Sequence, residues 1–307
     1  MKNLWKTFLM MLLAGLVCLS FVSCEDDSDD EVAETVTYDA PDLATTADKT
    51  IENAFSDLTG KTTNDNVVHN DGTTHTGYCL NQFVSKSEIN ELVGLDADAT
   101  EDARDLFAVN ITAGDGYAFR TKSEFDLSWG QFKEGYYLSA HDEVPVTFPS
   151  EEISKKFDIK GANKIELFRK LDIKKTDGTT VIVEVRAFAG ETINYRNWKD
   201  NEDNQDTGFK LSEVIYDYIT TEKSSFNYKI STIDSFIPEE GSEDYLADNT
   251  ANWETLQNAY LLFPAEEGDE YQIIFLNEDD DTTDTTYPTQ KYKKLKYPQT
   301  IELISTN

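Results

Sequence analysis

Asp177-Gly178 stands between two runs of strand-forming residues, the second being Thr179-Thr180-Val181-Ile182-Val183-Glu184-Val185. A dipeptide of this type favours the tight turns that reverse a chain, and β-branched side chains suit a pleated surface. Lys164 to Phe188 therefore reads as two long strands in a hairpin. A two-stranded hairpin is marginal alone in water, so this one needs a larger sheet to join.

Shorter signals surround it. Ile51, Ala54, Phe55 and Leu58 fall at i, i+3, i+4 and i+7, with Asp48 as a cap and Gly60 as a stop, which predicts a short amphipathic helix. Ser85 and Glu88 form a capping box, and Val84 can staple onto Ile89, so a second helix starts there and ends at Gly94. A third is expected from Ala99 to Phe107, followed by a turn at Gly114-Asp115-Gly116 between Val109-Asn110-Ile111 and Tyr117-Ala118-Phe119. Val214 to Ile219 fits either a helix or a buried strand. Trp253, Leu256, Gln257 and Tyr260 suggest a helix ended by Pro264, with closing strands at Glu270 to Leu276 and Thr300 to Ser305. No fixed-period repeat is present. The fold class expected is a β-rich α+β body of antiparallel, sandwich-like sheets with a few short helices. Its organisation reads as a leader over 1–23, a tether and short helix over 24–63, a β-rich domain over 64–198 and a second β-rich unit over 199–307. The second unit is either continuous with the first or meets it in the polar stretch Lys199 to Thr207.

The leader has three parts in order: Lys2 and Lys6, an apolar run from Phe8 to Val17, and Phe21-Val22-Ser23-Cys24. That run is shorter than the roughly 20 residues a spanning helix needs, so it reads as a secretory signal. Cleavage before a cysteine requires a small preceding side chain, which selects Cys24 after Ser23 over Cys18 after Val17. Phe-Val-Ser-Cys resembles a bacterial lipobox, loosened at its first position as in Bacteroidota, and Glu25-Asp26-Asp27-Ser28-Asp29-Asp30-Glu31 resembles the acidic export signal of their surface lipoproteins. The resemblance implies a protein held by acyl chains on Cys24 at the outer face of the outer membrane. The same acidic run also reads as a solvated linker. Ser85-Lys86-Ser87-Glu88-Ile89, Leu92, Gly94-Leu95, Gly116-Tyr117-Ala118-Phe119 and Trp129-Gly130 resemble an uncharacterised β-sandwich domain of glycan-locus lipoproteins. That likeness covers about a third of the chain, departs after Trp129 and transfers no binding site.

Acids outnumber bases by 59 to 27, a formal charge of −32, and losing Lys2 and Lys6 with the leader deepens it. Such a surface repels nucleic acid and anionic head groups. With Cys18 removed and Cys24 acylated, Cys79 is the last thiol, so no intramolecular disulfide can form and stability must come from burial. Tyr78-Cys79-Leu80 has the neighbours of a packed strand rather than of a nucleophile.

Three histidines are present, but no His-Glu-x-x-His, Gly-x-Ser-x-Gly or phosphate-loop pattern. His69, Asp71 and His75 offer a metal-like trio in a loop of Asn, Gly and Thr, where solvation is the default reading. Asp200, Glu202, Asn204 and Asp206 alternate like half a calcium loop, but Gln205 and Leu211 stand where glycine and glutamate belong. Here and in Glu278 to Asp284, solvated acidic turns are the default and calcium the alternative; no other cofactor is expected. Carboxylate pairs of the glycosidase kind occur in any chain this acidic and discriminate nothing.

Aromatic residues in polar surroundings are more informative, because sugar rings stack their C–H faces on Trp and Tyr. Trp129 with Tyr136 and Tyr137, Tyr195 with Trp198, and Trp253 with Tyr260 qualify, against core packing as the commoner fate. Tyr195, Trp198, Trp129 and Tyr136 are the ligand-contact candidates. The reading is a non-catalytic surface lipoprotein that binds an extracellular ligand, a glycan, for a partner transporter or enzyme. A structural or adhesive surface protein is the alternative, and a surface glycoside hydrolase the third. Cys24→Ala is expected to abolish incorporation of a palmitate analogue, and undiminished label would move the lipid site elsewhere.

Overall fold

The computed structural model describes residues 43–69, 72–121, 126–140, 145–149, 153, 157–217, 219–266, 268–277 and 287–306. Cys24, the acidic run after it and the rest of the leader and early tether lie outside the described residues. Those described form three sheets of eight, five and four strands with a few short helices. Every strand pairing is antiparallel except that of Pro298–Ser305 with Ala162–Lys174. No helix among the described residues is long and apolar enough to cross a membrane.

The hairpin around Asp177-Gly178 is the organising element. Its first strand, Ala162–Lys174, runs for 13 residues and its second is Thr180–Glu184. Gly178 takes φ +87° at the turn, a conformation that suits glycine. Phe107–Ala113 and Lys49–Ile51 flank the first half of the long strand, and Thr180–Glu184 and Pro298–Ser305 flank its second half. Side chains alternate across a strand, so residues 165, 167, 169, 171 and 173 share one face. Ile165 and Leu167 enter a core with Leu80, Ile89, Val109 and Phe132, while Leu171 and Ile173 enter a second core with Phe209, Ile230, Leu261 and Ile301.

Between the two cores, on that same face, stands Arg169, 1% exposed. Its Nη1 donates to Leu106 O at 3.1 Å and to Lys170 O, its Nη2 donates to Pro298 O, and its guanidinium lies 5.3 Å from the Tyr271 ring centre. Burial lowers its pKa to about 10, which still leaves it charged at neutral pH. The cation thus replaces an apolar residue at the seam and satisfies carbonyls from three places in the chain.

The opposite face carries a second buried polar group. Arg120 donates from Nε to Asp126 Oδ1 at 2.9 Å and from Nη2 to Glu184 Oε1 at 2.7 Å, and its Nη1 donates to Ala44 O. Ala44 N donates back to Glu184 Oε2 at 2.7 Å, and Ala44 packs with Ala108 and Phe168. The start of the described chain is therefore clamped to the long hairpin by one guanidinium and two carboxylates.

Several local expectations give way to longer-range contacts. Residues 51–58 are a short strand end and turns rather than a helix, and Asp48 serves Arg169 and Arg186 instead of capping. The helix expected over 99–107 is a single 3-10 turn, Ala103–Leu106, running into the strand from Phe107. Leu211–Val214 is a 3-10 turn, and the helix at Trp253 stops at Gln257 so that Ala259–Leu262 can pair as a strand. The polar stretch Lys199 to Thr207 forms the turn and first half of the strand Asp203–Lys210, which pairs with Glu191–Arg196.

Burial first, and then the Asp126 charge, push the Glu184 carboxyl up to about 7 against the pull of Arg120. A carboxyl whose folded pKa is raised contributes stability that is fully present below its unfolded value and is lost as pH rises through about 7. Urea melts should therefore show this contribution falling between about pH 4.5 and 7. Glu184→Gln, which keeps an acceptor for Ala44 N, should flatten that part of the profile; an unchanged slope would show that Glu184 does not titrate in this window.

Candidate functional site

Where the two cores meet, the surface opens into a cleft of about 360 Å³. One wall comes from the end of the helix Lys86–Leu92, whose start is fixed as its sequence predicts: Ser85 Oγ accepts from Glu88 N. That helix brings Leu92 and Val93 to the cleft, with Phe107 behind them. The opposite wall is made by Pro264, Ala265, Glu266, Asp269 and Tyr271, which follow the strand Ala259–Leu262. The two walls touch through glycines. Gly94 has φ +80°, and a Cβ there would stand 2.4 Å from Gly268 O, so no larger residue fits without moving the loop.

The polar side is built on the strand Lys49–Ile51 and on the 3-10 turn Val185–Ala187 after the hairpin, which contribute Asp48, Lys49 and Arg186. Asp48 is fully committed. Its Oδ2 accepts from Arg169 N at 2.7 Å, and its Oδ1 accepts from Arg186 Nε at 2.5 Å and Tyr271 Oη at 2.8 Å. Burial, and after it the Asp48 charge, hold the Tyr271 phenol well above its ordinary pKa, so it stays a donor. Glu266 and Asp269 supply carboxylates from the loop wall, where Asp269 Oδ2 accepts from Glu266 N at 3.1 Å. The result is an apolar back with donors on one side and acceptors on the other.

None of the aromatic residues chosen from the sequence lines this cleft. Trp129 is 3% exposed; it opens the helix Trp129–Phe132, stacks on Phe132 at 5.2 Å and carries the Arg104 guanidinium over its ring at 4.5 Å. Packing thus takes the face that a sugar would need. Tyr195 is likewise inside, 0% exposed, with its Oη donating to Asp206 Oδ2 at 2.7 Å. Strand alternation explains this: Ile193 and Tyr195 share the face that packs on Leu262 and Ile274. Burial, and then Asp206, raise the Tyr195 phenol above its usual value. Tyr136 is half-buried between Cys79 and Thr147 in the four-stranded sheet, where Asn64 Nδ2 donates to its Oη at 3.4 Å. Trp198 is half-buried in the turn after Glu191–Arg196, with Lys293 Nζ 5.7 Å from its ring; like Tyr136, and unlike Trp129 and Tyr195, it keeps part of its surface accessible. Trp253 is half-buried against Tyr228.

The metal-like patterns are also placed. Asp200 Oδ1 accepts from Glu202 N in a turn, and Asp206, on the strand Asp203–Lys210, accepts from Tyr195 Oη and lies 3.7 Å from Lys294 Nζ. Asp71 and Glu278 to Asp284 lie outside the described residues. Among those described, no three His, Cys, Asp or Glu side chains are grouped to hold a metal ion. Cys79 sits on a strand, and its thiol donates to Lys133 O at 3.0 Å.

Compared with protein-family models, with curated proteins and with solved structures, the chain matches none. The cleft residues were not singled out by sequence, although Arg169-Lys170 inside the apolar run Leu167 to Leu171 is the local signal of a polar seam. Gly94→Ala tests how the walls meet. It adds the left-handed strain, on the order of 1 to 3 kcal/mol, to a clash with Gly268 O, whereas Gly178→Ala, with open space around it, adds the strain alone. Urea denaturation should rank Gly94→Ala as the costlier change, and equal costs would mean the walls are not in contact.

Proposed function

We propose that this chain is a non-catalytic surface lipoprotein that binds an extracellular glycan in the cleft and holds it for a partner transporter or enzyme. The observation that carries the reading is the arrangement of fixed polar groups against an apolar back where the two cores meet. Sugars present hydroxyls that both donate and accept, beside apolar C–H faces. Arg186 and Lys49 can donate, Glu266 and Asp269 can accept, and Leu92, Val93 and Pro264 can cover the C–H surface. The cleft volume of about 360 Å³ lies near the lower end of the roughly 300 to 1,000 Å³ typical of small-ligand sites, enough for a terminal sugar unit rather than a long chain. The lipobox-like Cys24 and the acidic run after it support presentation at the cell surface.

Affinity for a panel of fluorescent oligosaccharides is the test. The double variant Glu266→Gln, Asp269→Asn should weaken binding about tenfold or more, a loss of about 1.4 kcal/mol, without lowering the melting temperature. Trp198→Ala should leave it nearly unchanged. The reverse pattern would move the glycan to the Trp198 turn, and binding of proteins but of no saccharide would favour the adhesive reading.

A further inference from the structure

Four large hydrophobic side chains stand exposed among the described residues, and two of the four, Phe236 and Ile237, are neighbours in one loop. Ile237 is the outermost, 66% exposed. The loop backbone is pinned beneath them by two buried side chains. Phe236 N donates to Thr232 Oγ1 at 3.1 Å, and Asn249 Nδ2 donates to Phe236 O at 2.7 Å. Asn249 does this from a left-handed backbone, φ +51°, and Ser235, next to Phe236, has φ +54°. Such conformations persist only where the surroundings fix them. The Phe236 ring lies 5.1 Å from that of Tyr245, and Lys293 holds the Tyr245 side of the loop: its Nζ stands 4.6 Å from the Tyr245 ring and its N donates to Asp244 O at 2.8 Å. Apolar side chains displayed on a backbone already fixed have little freedom left to lose on docking, which is what an interface anchor requires.

We propose that the loop over 232–249 is a docking surface, from which Phe236 and Ile237 enter an apolar pocket on a partner protein whose rim carries Lys and Arg. Charge selects this occupant. Residues 233–249 hold six acids and no base. Asp244 and Asp248 pair with Lys293 and Lys229, and Asp234 accepts from Phe236 N at 3.2 Å. The exposed Glu239, Glu240 and Glu243 make no ion pair among the described residues. A second copy of this chain meeting the same face would set these glutamates against their own kind, and an anionic lipid surface is repelled for the same reason. A basic rim instead steers the partner in and registers the apolar pair over its pocket. Ile237 has no flat face for a sugar ring to stack on, so a protein pocket suits it better than a saccharide. None of these residues lines the cleft, and the surface stands whether or not the cleft holds a glycan.

Photo-crosslinking in intact cells tests this. The full-length protein carries a benzophenone side chain in place of Ile237, and a parallel protein carries it in place of Ile304, an exposed residue on the strand Pro298–Ser305. Irradiation should give a discrete protein adduct from position 237 and none from 304, and peptide mapping should place the crosslink in a segment where Lys and Arg outnumber Asp and Glu. With that partner purified, Ile237→Ser should weaken binding about tenfold or more at an unchanged melting temperature. The triple variant Glu239→Gln, Glu240→Gln, Glu243→Gln should weaken it several-fold and flatten its dependence on salt. No adduct from 237, an adduct with a second copy of this chain, with lipid or with a glycan alone, or a crosslink into an acidic segment would overturn the proposal. So would Ile237→Ser binding the purified partner as tightly as wild type.

Discussion

Arg169 sits one residue past the midpoint of the longest strand among the described residues, on the face that supplies apolar residues to a core on either side of it. An apolar residue there would continue the alternation and merge the cores. The guanidinium instead gathers the carbonyls of Leu106, Lys170 and Pro298. Its backbone amide holds Asp48, and Asp48 in turn orients Arg186 and Tyr271. Leaving a buried group without its partner typically costs about 1 to 3 kcal/mol, so each member of this chain restrains the next. The cleft lies beside that network, and Asp48, Arg186 and Tyr271 in its lining are tied into the seam.

The second strand of the same hairpin joins the cleft to the start of the described chain. Glu184 ends the second strand of the hairpin, and Arg186 follows two residues later. Glu184 and Arg120 grip Ala44 on one face, while Asp48 grips Arg186 on the other. Three residues of chain, 45–47, therefore separate the clamp on Ala44 from Asp48 at the wall of the cleft. Beyond the clamp, the strand Lys49–Ile51 is anchored by pairing to residues 165–167.

Local pattern made the hairpin legible, because Asp177-Gly178 and its β-branched flank specify turn and strand within a few residues. The helix after Ser85 was legible for the same reason: its cap and its Gly94 stop are both local. The segment 51–58 was misread because its spacing is helical while its partner strand lies more than a hundred residues away. Tyr195 and Trp129 were misplaced because polar neighbours in sequence are not neighbours in space. On a strand the residues beside Tyr195 point the other way, and Trp129 begins a helix that turns inward. The cleft could not be read from sequence, since Asp48, Leu92, Arg186 and Asp269 come from four distant segments. What sequence did offer was Arg169-Lys170 inside an apolar run, a local contradiction of the kind that marks a specialised position.

Ligand binding at the seam between the cores, on groups held by the Arg169 network, is what we propose. Amide chemical-shift mapping of the isotopically labelled protein during titration with a mixed neutral and acidic oligosaccharide pool tests it most directly. Shifts should concentrate at Asp48 and Lys49, Leu92 to Gly94, Arg186, Glu266 and Gly268 to Tyr271. Shifts confined to Asn197 to Lys199 and Lys293, around the Trp198 ring, would contradict it.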